Sequence, residues 1–121
     1  MRQILVSSIV FICLDLLFLY LISNLFNKQI YEVQKSPLKI NYIGGLLSYL
    51  FLIIGINYFI LNERKSIFDA FILGLVIYGV YESTSYALLK NWKLQTVIMD
   101  TIWGGVLYSL TAFITYSIID S

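Results

Sequence analysis

The sequence has no histidine, one cysteine and one proline in 121 residues, and only 12% of its residues are charged. The absence of histidine removes the side chain that most often serves as a metal ligand and as a general base near neutral pH. The single cysteine, Cys13, excludes an internal disulfide, and its apolar neighbours indicate an ordinary filler side chain. A net charge of +1 gives no electrostatic basis for nucleic acid as a partner.

Apolar residues, in contrast, are abundant: 60% of the chain is hydrophobic, and the mean hydropathy is +0.84. In a soluble domain about a quarter of all residues are charged. Because that charged surface is missing, most of the chain must have lipid as its solvent. We therefore expect an integral, multi-pass membrane protein whose main partner is the lipid bilayer.

Four apolar segments are long enough to cross the hydrocarbon core at about 1.5 Å per residue. They cover residues 4–25, 37–61, 67–89 and 96–119. The links between them are short, so neighbouring helices must run antiparallel. The sequence therefore predicts an all-α fold with a single transmembrane domain over residues 1–121, built as an antiparallel four-helix bundle.

Local signals refine the helix starts. The first segment is interpreted as a retained span rather than a cleaved signal peptide, because no small-residue cleavage site follows it and Asp15 interrupts its centre. Ser36 and Pro37 have the residue types of an N-cap and a first helical position, which predicts that the second helix starts there. Ser66 and Asp69 have the spacing of a capping box, so Asp69 is interpreted as a cap rather than a functional acid.

Small residues recur at helical spacing in the last three segments and predict close helix contacts, since small side chains let membrane helices approach each other. The predicted packing residues are Gly44, Ser48, Gly55, Gly79, Ser83, Gly104 and Gly105. Because four helices enclose little space of their own, we also expect a homo-oligomer or a complex with other membrane proteins.

The distribution of basic residues predicts an orientation, because cytoplasmic links are enriched in lysine and arginine. The first and third links carry Lys28, Lys35, Lys39, Lys90 and Lys93. The opposite side carries Arg2, Arg64 and Lys65. This excess predicts that both termini lie on the non-cytoplasmic side.

Three carboxylic acids, Asp15, Glu82 and Asp100, lie within the predicted spans. An aspartate near the centre of a membrane helix costs about 2.5–3.5 kcal/mol on insertion scales. Loss of solvation favours the neutral acid, and hydrogen bonds, water or a bound cation are other ways to stabilise it. Helical rise places Glu82 about 10 Å from the end of its span, Asp100 about one turn into the next span, and Asp15 near mid-depth.

The predicted intramembrane site is an acidic, tyrosine-lined pocket that opens toward the first and third links. Its residues are Asp15, Tyr78, Tyr81, Glu82, Ser85, Asp100 and Trp103. Two alternatives stay open: buried acids can hold helices in register through hydrogen bonds, and Asp100 is close enough to the interface to reach water. Trp92 and Tyr42 are typical of interfacial anchors, whereas Trp103 fits either an anchor or a pocket wall.

Two stretches, YGVYESTSYALLKNW (residues 78–92) and VIMDTIWGGVL (residues 97–107), resemble the paired signature of a family of small four-span bacterial membrane proteins of unknown function. The family pattern reads Y-G-x-Y-[DE]-x-T-N-x-A-x-L-x-x-W and then D-x-x-W-G, and Leu14-Asp15 resembles its opening motif. Ser85 replaces the usual Asn, and Phe18 stands where Trp is common. The resemblance covers the whole chain and implies the four-span fold, but no activity and no cofactor.

The sequence favours transport or conduction of protons, small cations or a small polar solute, with the buried acids as titrating or coordinating groups. The alternative is a structural or accessory role in membrane assembly, in a bacterial, viral or organelle membrane. An enzyme is disfavoured because no histidine and no placed nucleophile is present. A hard-cation site made of Asp15, Glu82 and tyrosine oxygens is allowed by the residue types.

Overall fold

The structure, a computed structural model, describes residues 2–22, 28, 31, 42–89 and 92–120. The helix bounds are α1 Arg2–Leu21, α2 Tyr42–Ile56, α3 Ile67–Leu88 and α4 Leu94–Ile119, with a π-helical turn, Asn57–Leu61, extending α2. Within these residues, four helical segments are long and apolar enough to cross a membrane. They pack against one another as a four-helix membrane bundle, which confirms the predicted fold.

Some helix boundaries differ from the predicted ones. Helix α1 begins at Arg2, before the predicted start at Ile4, and α4 begins at Leu94 rather than Thr96. The third helix begins as predicted: Ser66 is its N-cap, and the Asp69 backbone N–H donates to Ser66 Oγ at 3.0 Å. The predicted second-helix start and part of the lysine count fall on residues outside the described ones, namely Ser36, Pro37, Lys35, Lys39 and Lys90.

Contacts between residues far apart in the chain show which helix ends lie together. Arg2 Nη2 donates to the Ile118 carbonyl at 3.1 Å, which places the start of α1 beside the end of α4. Gln3 Nε2 donates to Asn62 Oδ1 at 2.8 Å, which adds the end of α2. We call this end of the bundle the terminal face, and the opposite end, where α1 and α3 end and α2 and α4 begin, the distal face. Successive helices therefore alternate in direction.

Helices α3 and α4 make the most extensive contact in the bundle, and glycines permit it. A Cβ atom added to Gly74 would collide with the Gly104 carbonyl oxygen, and one added to Gly104 would collide with the Tyr78 side chain. At Gly105, an added Cβ would lie 2.8 Å from Phe71 Cε2. These positions therefore bring the two backbones closer than any larger residue would allow.

The other predicted packing residues lie in two environments. An added Cβ would meet Tyr108 Oη at 3.3 Å from Gly55 and Thr101 Cγ2 at 3.5 Å from Gly79, so both glycines face a neighbouring helix. The remaining three lie on the exposed surface of α2 and α3: Gly44, Ser48 and Ser83. Their predicted packing role would therefore have to involve something outside the described bundle, and it stays a prediction.

The core is apolar at its centre, and the outer surface is apolar as well. Phe11 is fully buried and packs edge-to-face against Tyr49 and Tyr108, with ring centroids 5.9 Å away in both cases. Large apolar side chains are exposed on every helix, including Leu5, Phe51, Phe68 and Phe113. A surface of this kind requires a lipid solvent, because contiguous exposed apolar area drives association in water.

The π-helical turn places a buried amide between α1 and α2. The backbone N–H groups of Asn62 and Lys65 donate to carbonyls five residues earlier, those of Asn57 (2.8 Å) and Ile60 (2.9 Å). The Asn57 side chain donates from Nδ2 to Ser7 Oγ at 3.0 Å, and its Oδ1 accepts from Gln3 at 3.3 Å. Polar links therefore continue from the terminal face into the bundle.

The terminal face also holds an exposed ion pair. Arg64 donates through both terminal nitrogens to Asp120, at 3.0 and 2.6 Å, and its guanidinium lies 5.1 Å from the centre of the Tyr116 ring. The hydrogen bonds from Arg64 hold the pKa of the Asp120 carboxyl below its ordinary value. Both partners are about half exposed, with relative exposures of 56% and 51%, so solvent and salt screen the pair.

Replacement of Arg64 by Gln should raise the pKa of Asp120 toward the ordinary aspartate value of about 3.9. In the folded protein that pKa is depressed, so the stabilisation by the pair is present above the ordinary value and is lost as pH falls through the folded value. NMR titration of the Asp120 carboxyl in detergent micelles measures the change. Lys65→Gln is the matched control, and an Asp120 pKa that is the same in Arg64→Gln and wild type would contradict the assignment.

Replacement of Gly74 by Ala should destabilise the bundle by about 1–3 kcal/mol, because the new Cβ collides with backbone on α4. Gly45→Ala is the control, since nothing lies within 4 Å of an added Cβ at Gly45 and alanine favours a helix by about 1 kcal/mol. Thermal unfolding in micelles compares the two variants. Equal stability of the two would refute close packing at Gly74.

Candidate functional site

Asp15, Glu82 and Asp100, which we call the carboxyl cluster, lie at one depth in the bundle. Asp15 lies six residues before Leu21 at the end of α1, Glu82 six residues before Leu88 at the end of α3, and Asp100 six residues after the start of α4 at Leu94. Six residues of helix correspond to about 9 Å, measured from the distal face in every case. The three acids are therefore equally far along their helices from the distal ends, and their predicted depths in the membrane stay predictions.

Asp15 is held by two neutral donors from two other helices. Tyr49 Oη of α2 donates to Asp15 Oδ2 at 2.8 Å, and Trp103 Nε1 of α4 donates to Oδ1 at 3.2 Å. Phe18, one turn further along α1, stacks on the Trp103 indole with ring centroids 4.3 Å apart and planes 6° from parallel. Asp15 itself is buried, with 9% of its surface exposed. Trp103 thus lies inside the bundle as a wall of the site.

Glu82 and Asp100 form a carboxyl pair. Glu82 is 1% exposed, and its Oε1 accepts from Trp92 Nε1 at 2.9 Å. The Asp100 side chain of α4 interacts with that of Glu82. The two carboxyl groups therefore meet between α3 and α4.

The pair and Asp15 belong to one electrostatic unit. The charge of Asp15 acts on Asp100, and the Tyr78 hydroxyl interacts with both of these acids. Tyr81, the residue before Glu82 on α3, is also within electrostatic range of Glu82 and Asp100, although its side chain is mostly exposed. Any change in charge at one acid therefore alters the energy of a charge at the others.

The described donors to the acids are neutral. Asp15 accepts from a phenol O–H and an indole N–H, and Glu82 accepts from an indole N–H. Among the described residues, no group of three or more histidine, cysteine, aspartate or glutamate side chains is arranged to hold a metal ion. The predicted hard-cation site stays a prediction.

Two predicted site residues lie elsewhere, on the outer side of α3. Tyr81 and Ser85 line an open groove of about 500 Å³ together with Thr84 and apolar residues that include Ile77 and Leu88. None of the three acids lines this groove. The structure therefore brings together Asp15, Tyr78, Glu82, Asp100 and Trp103 and leaves Tyr81 and Ser85 at the membrane-facing side of the same helix.

Sequence reasoning missed two members of the site. Trp92, interpreted as an interfacial anchor, is 7% exposed, and its indole N–H binds Glu82. Its place as the last residue of the YGVYESTSYALLKNW signature was the available signal. Tyr49, the phenol donor to Asp15, lies in an apolar run, and its polar tip within that run is the only sign that the sequence offers.

These observations define an integral, multi-pass membrane protein with a carboxyl cluster inside its four-helix bundle. The chain belongs to the family described as "Predicted membrane protein (DUF2177)", whose model matches residues 1–117. This membership confirms the resemblance carried by the paired signature. Searches of curated proteins and of solved structures found no match to the chain.

The two tryptophans should report separately on the two parts of the cluster, because each indole donates to a different acid. In Trp103→Phe the remaining indole is Trp92, and its emission should change with pH as the carboxyl pair gains or loses a proton. Glu82→Gln in the same background should remove most of that change, because a charged acceptor no longer forms. Fluorescence titration in micelles measures it.

Glu63→Gln, which removes an exposed carboxyl group outside the helices, is the control for this titration. It should leave the pH-dependent emission of Trp92 as it is in Trp103→Phe alone. An emission change that persists in full after Glu82→Gln would contradict the assignment of Trp92 to the pair.

Proposed function

We propose that this protein transports or conducts protons across the membrane and that the carboxyl cluster is the proton-binding site. The observation that carries the proposal is the meeting of the Glu82 and Asp100 carboxyl groups between α3 and α4, with Glu82 buried. A proton held between two acids can be released by a small change in their separation or solvation, since both control the balance between charged and neutral forms. Acids within membrane spans are costly and commonly mark proton pathways.

The packing of the cluster supports protons over small cations and polar solutes. Glu82 is 1% exposed, whereas a solute or hydrated ion needs room beside the acids. A proton needs only donors and acceptors at hydrogen-bond distance. For this cargo a single bundle suffices, and a homo-oligomer remains a separate prediction from the sequence.

Trp92 supports a defined entrance at the distal face. Trp92 precedes the start of α4, and its indole is buried against Glu82. Access of water to the pair from that face therefore requires the indole to move away. If the distal face is cytoplasmic, as the lysine distribution predicts, protons exchange with the pair from the cytoplasm.

A structural or accessory role is the second candidate, and the bonds of Asp15 favour it. That single carboxyl group links α1 to Tyr49 of α2 and to Trp103 of α4, so it fixes the register of three helices. A protein that only organises other membrane proteins could retain such an acid for stability. Neither candidate involves an enzymatic step or a cofactor.

Proton flux into reconstituted vesicles tests the proposal. With a potassium-driven potential and an internal pH dye, wild type should carry flux and Glu82→Gln should lower it at least tenfold. The glutamine amide keeps the size of the side chain and an acceptor for Trp92, but it cannot release a proton at neutral pH. Folding of the variant is checked by thermal unfolding.

Glu63→Gln is again the matched control and should carry wild-type flux. Wild-type protein without flux above empty vesicles, or Glu82→Gln with full flux, would refute proton transport through the pair. The structural candidate would be favoured if the folded wild type carries no flux and substitution of Asp15 lowers the stability of the bundle.

A further inference from the structure

The carboxyl cluster lies close to one face, so proton transport needs a route to the other, and the interior of α4 carries groups suited to it. From Asp100, polar or small residues follow at helical spacing through Gly104 and Tyr108 to Thr111 and Thr115. Intervals of three and four residues place all five on one side of the helix. That side faces the bundle axis, since Gly104, Tyr108, Thr111 and Thr115 are all buried.

Thr111 and Thr115 are the most informative members of this row. Both are 0% exposed, and within the described part of the chain their hydroxyl oxygens have no hydrogen-bond partner. A threonine in a helix normally satisfies its hydroxyl with the carbonyl three or four residues earlier. Each of these two hydroxyl groups is therefore free to bond a water molecule or another polar ligand.

The row begins at the cluster. The Tyr78 hydroxyl lies within electrostatic range of Asp15, Asp100 and Tyr108. Tyr108 is fully buried, and its hydroxyl donates to the Leu52 carbonyl at 2.6 Å. Tyrosine hydroxyls therefore lead from the acids to the centre of the bundle.

The row continues toward the terminal face through α1 and α2. Phe11 of α1 packs on Tyr108 of α4. Ser7 lies about one turn from Phe11 toward the terminal face, and Thr111 lies about one turn from Tyr108 in the same direction. Ser7 and Thr111 are therefore at about the same depth. Ser7 Oγ accepts from Asn57 Nδ2 at 3.0 Å, and Gln3 Nε2 donates to both Asn57 and the exposed Asn62. Buried polar groups thus occur at each level down to the terminal face.

We propose that Thr111 and Thr115, with Ser7 beside them, bind a short chain of water molecules that carries protons between the tyrosine hydroxyls and the terminal face. In each transfer an oxygen accepts a proton from one neighbour and releases its own hydrogen to the next, so every hydroxyl and water ends neutral. One proton leaves the carboxyl cluster, and one reaches the terminal face. The proposal rests on the proton transport proposed above and names its route.

The double variant Thr111→Val/Thr115→Val tests the route, because valine keeps the shape of threonine and removes the hydroxyl. Its proton flux in vesicles should fall at least tenfold below wild type. The pH-dependent emission of Trp92, measured with Trp103→Phe, should be unchanged, since the carboxyl pair is intact. Ser117→Ala is the control on the same helix: Ser117 is exposed, and its hydroxyl donates to the Phe113 carbonyl.

A second variant, Thr111→Ser/Thr115→Ser, separates hydroxyl chemistry from packing and should retain most of the flux. Equal loss in the serine and valine variants would assign the effect to packing and overturn the route. Wild-type flux in the valine variant would overturn the route. Proton transport through the carboxyl pair would still stand in that case if Glu82→Gln abolishes flux. Absence of flux in wild type would refute both proposals.

Discussion

The close approach of α3 and α4 is the constraint on which the site depends. Gly74 and Gly104 leave no side chain between the two backbones, and Tyr78 occupies the space above Gly104. Gly74 lies about two turns from Glu82, and Gly104 about one turn from Asp100, so this contact controls the distance between the two carboxyl groups. A wider separation would leave two acids in an apolar medium, each needing its own donors. Helix packing therefore brings the two costly groups together.

The fold could be predicted from sequence because its physical cause is simple. Long apolar runs with few charges leave only membrane-spanning helices as a structure that satisfies the backbone, and short links force antiparallel neighbours. The capping of α3 by Ser66 was equally readable, since the N-cap bond is local. The second-helix start at Ser36 and Pro37 lies outside the described residues, so the structure says nothing about that boundary.

The acids of the site could be predicted from the sequence, but their hydrogen-bond partners could not. The acids stood out because a charge in an apolar run has few explanations, but their partners depend on rotation and register of separate helices. Tyr49 donates to Asp15 across a sequence separation of 34 residues, and Trp103 donates to Asp15 across 88. The pairing of Glu82 with Asp100 likewise results from the glycine contact, which spacing along one helix does not reveal. For the same reason Ser48 and Ser83, small residues at apparently suitable spacing, lie on the exposed surface.

The bonding of Asp15 has a consequence for how the protein is made. Helix α1 contacts α4 more extensively than α2, and the two donors to Asp15 come from α2 and α4. During synthesis α1 therefore enters the bilayer with an acid whose Trp103 partner has not been translated. In that interval the carboxyl group needs water, lipid head groups or the insertion machinery to stabilise it. When α4 is complete, Trp103 can donate to Asp15, and the carboxyl group no longer depends on those other partners.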